Sequence, residues 1–168
     1  IELSEHGYND KEKNVAVSAA SFASVLITGD EPFKQSDSIS DLAKEIQQLN
    51  PYTKIIIYTN GLVRPVNMSS IKNIDYVIFG KLDENNIPYK DRINESVWKW
   101  FAKAGGKFVF KVTSEKDLED ISLLIAALLI NKRQVYVDIK SDDYKKMAFL
   151  SCNYGFNLFV SYNGEWFD

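Results

Sequence analysis

From Ser24 onward, short apolar runs rich in Val, Ile and Phe alternate with longer segments whose apolar positions recur at helical spacing. The runs are residues 24–28, 54–58, 75–79, 107–112, 134–139 and 157–161. Each has the length and β-branched content of a strand, and each interval between them is long enough for a crossover. That rhythm predicts a parallel sheet of about six strands.

The intervals carry helix signals. Ser38 with Asp41 three residues on has the form of a capping box, Leu42, Ile46 and Leu49 mark one face, and Asn50-Pro51 supplies a stop. Residues 93–104 place Val97, Trp98 and Phe101 on one helical face, and Gly105-Gly106 can take the positive φ of a helix end. Ser114 with Asp117 repeats the capping arrangement before an apolar helix reaching to about Asn131, and Ser141 opens another that Gly155 closes. Two stretches carry no such signal. Residues 1–23 pass from polar to the small-residue run 16–23, which fits strand, helix or an ordered arm, and residues 80–92 read as a loop beyond the third strand. The expected organisation is an N-terminal arm, 1–23, followed by a single α/β domain, 24–168.

Composition narrows the functional classes. Twenty Lys and Arg against 23 Asp and Glu give a charge of −3, so electrostatics favours neither a nucleic acid nor a membrane surface as partner. One cysteine, Cys152, cannot close an internal disulfide, and with one histidine, His6, it cannot build a Cys/His zinc site. No metal site is expected. The longest apolar run, 121–130, is about half of a membrane span, and no signal-peptide pattern opens the chain, so a soluble, cytoplasmic protein is expected. The sequence opens at Ile1, so a natural start at that residue is not assumed.

Candidate chemistry gathers at the ends of the first three runs. The first ends in Gly29, Asp30, Glu31 and Pro32, which places two carboxylates at a strand's carboxyl end. A carboxylate there can accept hydrogen bonds from a ligand ammonium, and the same four residues also suit a solvated turn. The second ends in Thr59, Asn60 and Gly61, neutral hydrogen-bonding groups beside a tight turn. The third is followed by Gly80 and Lys81, a cation for the same mouth or an ordinary surface lysine.

Together these endings resemble the radical S-adenosylmethionine enzymes. Thr28-Gly-Asp-Glu-Pro32 with Gln35 is similar to that family's Thr-Gly-Gly-Glu-Pro segment, which holds the amino group of the cofactor's methionine part. Tyr58-Thr-Asn-Gly61 resembles the Glu-Thr-Asn-Gly of 7-carboxy-7-deazaguanine synthases. Ile74-Asp-Tyr with Lys81, and Phe108-Val-Phe-Lys-Val112 with Glu115, Asp117 and Leu118, are similar to later parts of the same synthases. The activating enzyme of the anaerobic ribonucleotide reductase is a competing relative, through Gly29 to Pro32 and Gly80-Lys81. The length of chain after the motif favours the synthase.

The resemblance implies a partial (β/α)6 barrel with an open, mostly parallel sheet. It also implies S-adenosylmethionine as cofactor, with Gly29, Asp30, Glu31, Thr59, Asn60 and Lys81 as binding residues. The departures are specific. The family's cluster needs three cysteines in Cys-x3-Cys-x2-Cys and this chain has one, so no iron–sulfur cluster is expected from this chain alone. Asp30 stands where the family has its second glycine, and Tyr58 replaces the synthases' Glu.

Three readings follow. The first is a cluster-free pseudoenzyme, with no catalytic residue, that binds a nucleoside-like ligand or a protein partner through a pocket bordered by Glu31, Asn60 and Lys81. The second is part of an active enzyme whose cluster segment lies outside this sequence, which fits an opening at Ile1 but not Asp30. The third is a structural subunit or homo-oligomer using the aromatic tail 154–167 and the polar N-terminal arm; the tail, with Asn163-Gly164, suits a hairpin, an oligomer contact or a lid, and a simple terminal plug is expected first. Elsewhere, Trp98 and Trp100 fall on different helix faces, so one is core. Cys152 is expected to be buried, His6 exposed, and Lys132-Arg133 to complement a helix C-terminus.

Overall fold

The computed structural model of the chain describes residues 10–29, 31–82, 87–159, 161–162 and 165–166. Six strands form one open, all-parallel sheet flanked by helices, in the order β1 (Ser24–Ile27), β2 (Lys54–Thr59), β3 (Ile74–Gly80), β4 (Lys107–Val112), β5 (Val135–Ile139) and β6 (Asn157–Leu158). Spatial order follows sequence order. All six strands lie within two residues of the expected runs except at the end of β6. There residues 161–162 instead form β7 (Ser161–Tyr162), paired antiparallel with β8 (Glu165–Trp166). His6 and Asp30 lie outside the described residues. Among the described residues, no helix is long and apolar enough to cross a membrane.

Contacts divide the chain into two compact units, Ile1–Val77 and Ile78–Asp168. In the first, β1 and β2 run in register, Val25 beside Ile55 and Ile27 beside Ile57, and all four side chains are buried on one face. The period-2 alternation puts Leu26, Ile56 and Tyr58 half-exposed on the other, where Lys54 pairs with Asp75 at 3.0 Å. Helix α2 (Ser36–Leu49) buries Ile39, Leu42, Ala43 and Ile46. It begins two residues before Ser38. The 3-10 turn Pro32–Gln35 already fixes the first helical residues, so the expected Ser38–Asp41 capping box does not form. The opening segment, without a sequence signal of its own, contains α1 (Asp10–Ala19), which packs on α2 and buries Ala16 and Ala19. Small side chains at those positions let two helix backbones approach closely.

The second unit is built on an aromatic core. The register sets Phe108, Phe110 and Val112 of β4 beside Val135, Val137 and Ile139 of β5, all buried. Helix α3 (Tyr89–Arg92) is a single turn, and α4 (Glu95–Lys103) starts at Asn94, whose side chain accepts from the Val97 amide at 3.4 Å. Trp98 is fully buried, its ring 5.2 Å from Phe108 and 5.9 Å from Phe110, while Trp100 is half-exposed against Phe101. Each fully buried side chain of this size contributes about 1.5–3 kcal/mol of transfer free energy. Helix α5 (Glu115–Leu128) carries the expected capping box: Asp117 Oδ2 accepts from the Ser114 amide at 2.9 Å and the Thr113 amide at 2.7 Å. Partial burial pushes the Asp117 carboxyl up, but the Thr113 and Ser114 donors outweigh it and hold the group below its ordinary value.

Helix α6 (Tyr144–Tyr154) starts at Asp143 rather than Ser141 and ends at Gly155 as expected. Cys152 is exposed on it, contrary to the expected buried role, because the buried positions of α6 are Met147 and Ser151, four apart, and Cys152 lies one residue outside that stripe. Lys132 and Arg133 lie in the 3-10 turn Lys132–Gln134 past the end of α5, and Lys132 Nζ donates instead to the Tyr154 carbonyl of α6 at 3.0 Å.

Gly80 is where the aromatic core meets β3. A Cβ built there would collide with the Phe110 ring and stand 2.8 Å from the Trp98 ring. Gly80→Ala is expected to cost roughly 1–3 kcal/mol by overpacking and to alter the tryptophan near-UV circular dichroism. Urea unfolding with a loss under about 0.5 kcal/mol would contradict this packing.

Candidate functional site

The candidate residues of the first unit are positioned by two neighbouring parallel strands. After Ile27 the chain leaves β1 through Thr28 and half-buried Gly29, and Glu31 is extended (φ −148°, ψ 97°). Pro32 follows at the first position of the 3-10 turn, where a missing N–H is no loss and the fixed φ suits the turn. Glu31 then caps it, its Oε1 accepting from the Phe33 amide at 3.1 Å. Phe33 is buried and its ring lies 6.0 Å from that of Tyr76.

Strand β2 brings the second set. Thr59 continues the buried face of Ile55 and Ile57, which turns its hydroxyl toward Glu31. Thr59 Oγ1 lies 2.8 Å from Glu31 Oε1 and 2.9 Å from Oε2, and the Asn60 amide donates to Oε2 at 3.1 Å. The Thr59 hydroxyl in turn accepts from the Gly61 amide at 3.0 Å, and Asn60 Oδ1 accepts from the Leu62 amide at 2.9 Å. Gly61 has φ +73°, a left-handed conformation that this turn demands and that L side chains rarely adopt. Three donors of the chain thus converge on one carboxylate that is 5% exposed.

Burial pushes the Glu31 carboxyl above its ordinary value of 4.5. The Phe33, Thr59 and Asn60 donors and nearby Lys34 oppose that shift without cancelling it. Tyr58, on the opposite face of β2, is pushed up to about 12 by burial.

The structure therefore brings Glu31, Thr59 and Asn60 together with Gly29 close by in sequence. Asp30 lies outside the described residues. Lys81 is an exposed residue of the second unit, and its carbonyl accepts from Arg92 Nη1 at 3.1 Å. The Glu31–Thr59 contact was not foreseen from sequence. Its signal is the period of β2, which puts Thr59 on the buried face where a lone hydroxyl needs a partner.

Among the described residues, no three His, Cys, Asp or Glu side chains gather into a group that could hold a metal ion. A cluster of the family's kind needs three thiolates on one loop, and the only thiol of the sequence is Cys152, exposed on α6, so the residues present do not fit one. Comparison with protein-family models, curated proteins and solved structures returns no match to this chain.

Glu31→Ala strands three donors and is expected to lower stability by roughly 3 kcal/mol. In a double-mutant cycle with Thr59→Val, read by urea unfolding, the two losses should be less than additive by about 1 kcal/mol. Additive losses would mean that the pair does not interact. The pH dependence has a definite sign. Because Glu31's folded pKa is raised, its contribution to stability is fully present below its unfolded value and is lost as pH rises through the folded pKa. From pH 4 upward the wild type should lose stability relative to Glu31→Gln, and a gap that stays constant or moves the other way contradicts the assignment.

Proposed function

We propose that this chain is a cluster-free relative of the radical S-adenosylmethionine enzymes, nearest the deazaguanine synthases, that works by binding a nucleoside-like ligand and carries out no radical chemistry. One observation carries the reading. The carboxylate at the position of the family's cofactor-holding Glu is Glu31, and it is buried and engaged by the chain's own Phe33, Thr59 and Asn60 donors. A carboxylate offers about four lone-pair directions, and three donors leave little of it for a ligand ammonium. The segment has become a clamp between the ends of two strands.

Two features support the scaffold that this reading needs. The consecutive order of six parallel strands supports a barrel-derived scaffold, since an unreversed order is what successive crossovers of one hand produce. Parallel sheets of this kind bind ligands beyond the carboxyl ends of their strands, where Gly29 and residues 59–61 lie. A protein partner is a second reading, favoured by large apolar side chains left in water in the second unit: Leu123 at 72%, Leu129 at 87% and Phe149 at 67% exposure.

Anaerobic calorimetric titration of the purified chain with S-adenosylmethionine tests the proposal. No saturable heat is expected, either from the wild type or from an Asp30→Gly variant that restores the family's glycine. Saturable binding to the wild type would overturn the reading and support an enzyme whose cluster segment lies elsewhere. Recovery in Asp30→Gly alone would shift the block from Glu31 to Asp30 and equally overturn the clamp as its cause.

A further inference from the structure

We propose that a cleft in the second unit, formed by Leu82, α3 with Ile93, and one stripe of α5, is a binding site for a nucleoside monophosphate. The cavity measures about 330 Å3, within the range of small-molecule sites. It lies on the side where α5 begins and β3 has just ended, the carboxyl-end side of the strands.

Its lining divides into an apolar and a charged half. Leu82, Ile93 and Leu124 supply the apolar walls, and Arg92, Lys116 and Asp120 the charge. Lys116, Asp120 and Leu124 recur every four residues, so α5 presents all three along one stripe. Arg92 is fixed in place: its Nε donates to the Ile87 carbonyl at 2.8 Å and its Nη1 to the Lys81 carbonyl at 3.1 Å. Among the described residues, Lys116 and Asp120 make no hydrogen bond or ion pair, with each other or with a third group. Two opposite charges one turn apart that do not pair leave both available to a ligand.

The chemistry selects the class. Lys116, on the stripe of α5 that borders the cleft, together with the Arg92 charge suits a phosphate. Asp120 lies about 6 Å further along the axis by helix rise, the reach from a 5′-phosphate to the ribose hydroxyls, which its carboxylate can accept. The apolar walls take the base. Inorganic phosphate would leave that half empty, and an uncharged nucleoside would leave Lys116 unmatched.

The proposal rests on the preceding reading only for the nucleoside character of the ligand, and the two fail separately, because S-adenosylmethionine tests Glu31 and nucleotides test this cleft. The full chain is titrated calorimetrically with AMP and GMP, with guanosine and inorganic phosphate as separate arms. Lys116→Glu and Asp120→Asn variants are run beside it after circular dichroism shows the wild-type fold. The expected result is saturable binding of at least one monophosphate, with guanosine and phosphate each at least tenfold weaker. Lys116→Glu should weaken it tenfold or more, and Asp120→Asn should erase any preference over the 2′,3′-dideoxynucleotide. Absence of saturable binding by both monophosphates, binding undiminished in both variants, or inorganic phosphate binding as tightly as the nucleotides would each overturn the site.

Discussion

A carboxylate taken out of water must be met by donors, and the end of β1 is arranged around that requirement at Glu31. Pro32 begins the turn that presents the Phe33 amide. The parallel register of β1 with β2 brings Thr59 alongside, and the Gly61 turn holds the Thr59 hydroxyl from its other side. These contacts span 28 residues of sequence, so the clamp ties the start of α2 to the end of β2. Desolvation still keeps the carboxyl above its ordinary pKa, which marks the donors as a partial offset to the cost of burial.

Such a clamp and a ligand holder are built from the same residue types at the same place. A Glu at the carboxyl end of a parallel strand, with a hydroxyl and an amide on the next strand, can grip an incoming cation or be gripped by its neighbours. Which occurs depends on whether the donors of the chain reach it first. Here the distances of 2.8 to 3.1 Å to Thr59, Phe33 and Asn60 show that they do.

Much of the fold was legible because it rests on local rules. Strand positions followed from β-branched runs, and the α5 capping box from Ser114 and Asp117, since both depend on neighbours within a few residues. What escaped depended on partners distant in sequence. Nothing local distinguishes the small-residue run in α1 as helix, because burial of Ala16 and Ala19 against α2 decides it. Ser38 has the right spacing for a cap, but the Pro32 turn had already started the helix. Strand order alone sets Lys81 beside Glu31, and nothing in the sequence signals that Arg92, Lys116 and Asp120 border one cleft, because they come from two separate helices. The hydrogen bonding of Glu31 was the least readable, because Thr59 meets it only through tertiary register.

The most direct test of the clamp is native-state amide hydrogen exchange at Phe33 and Asn60, the two backbone donors to Glu31. Both amides are expected to exchange slowly in the wild type and to lose protection together in Glu31→Ala, while the Ile55 amide, bonded to the Asn73 carbonyl, stays protected. Rapid exchange of Phe33 and Asn60 in the wild type, or protection unchanged by the substitution, would contradict the account.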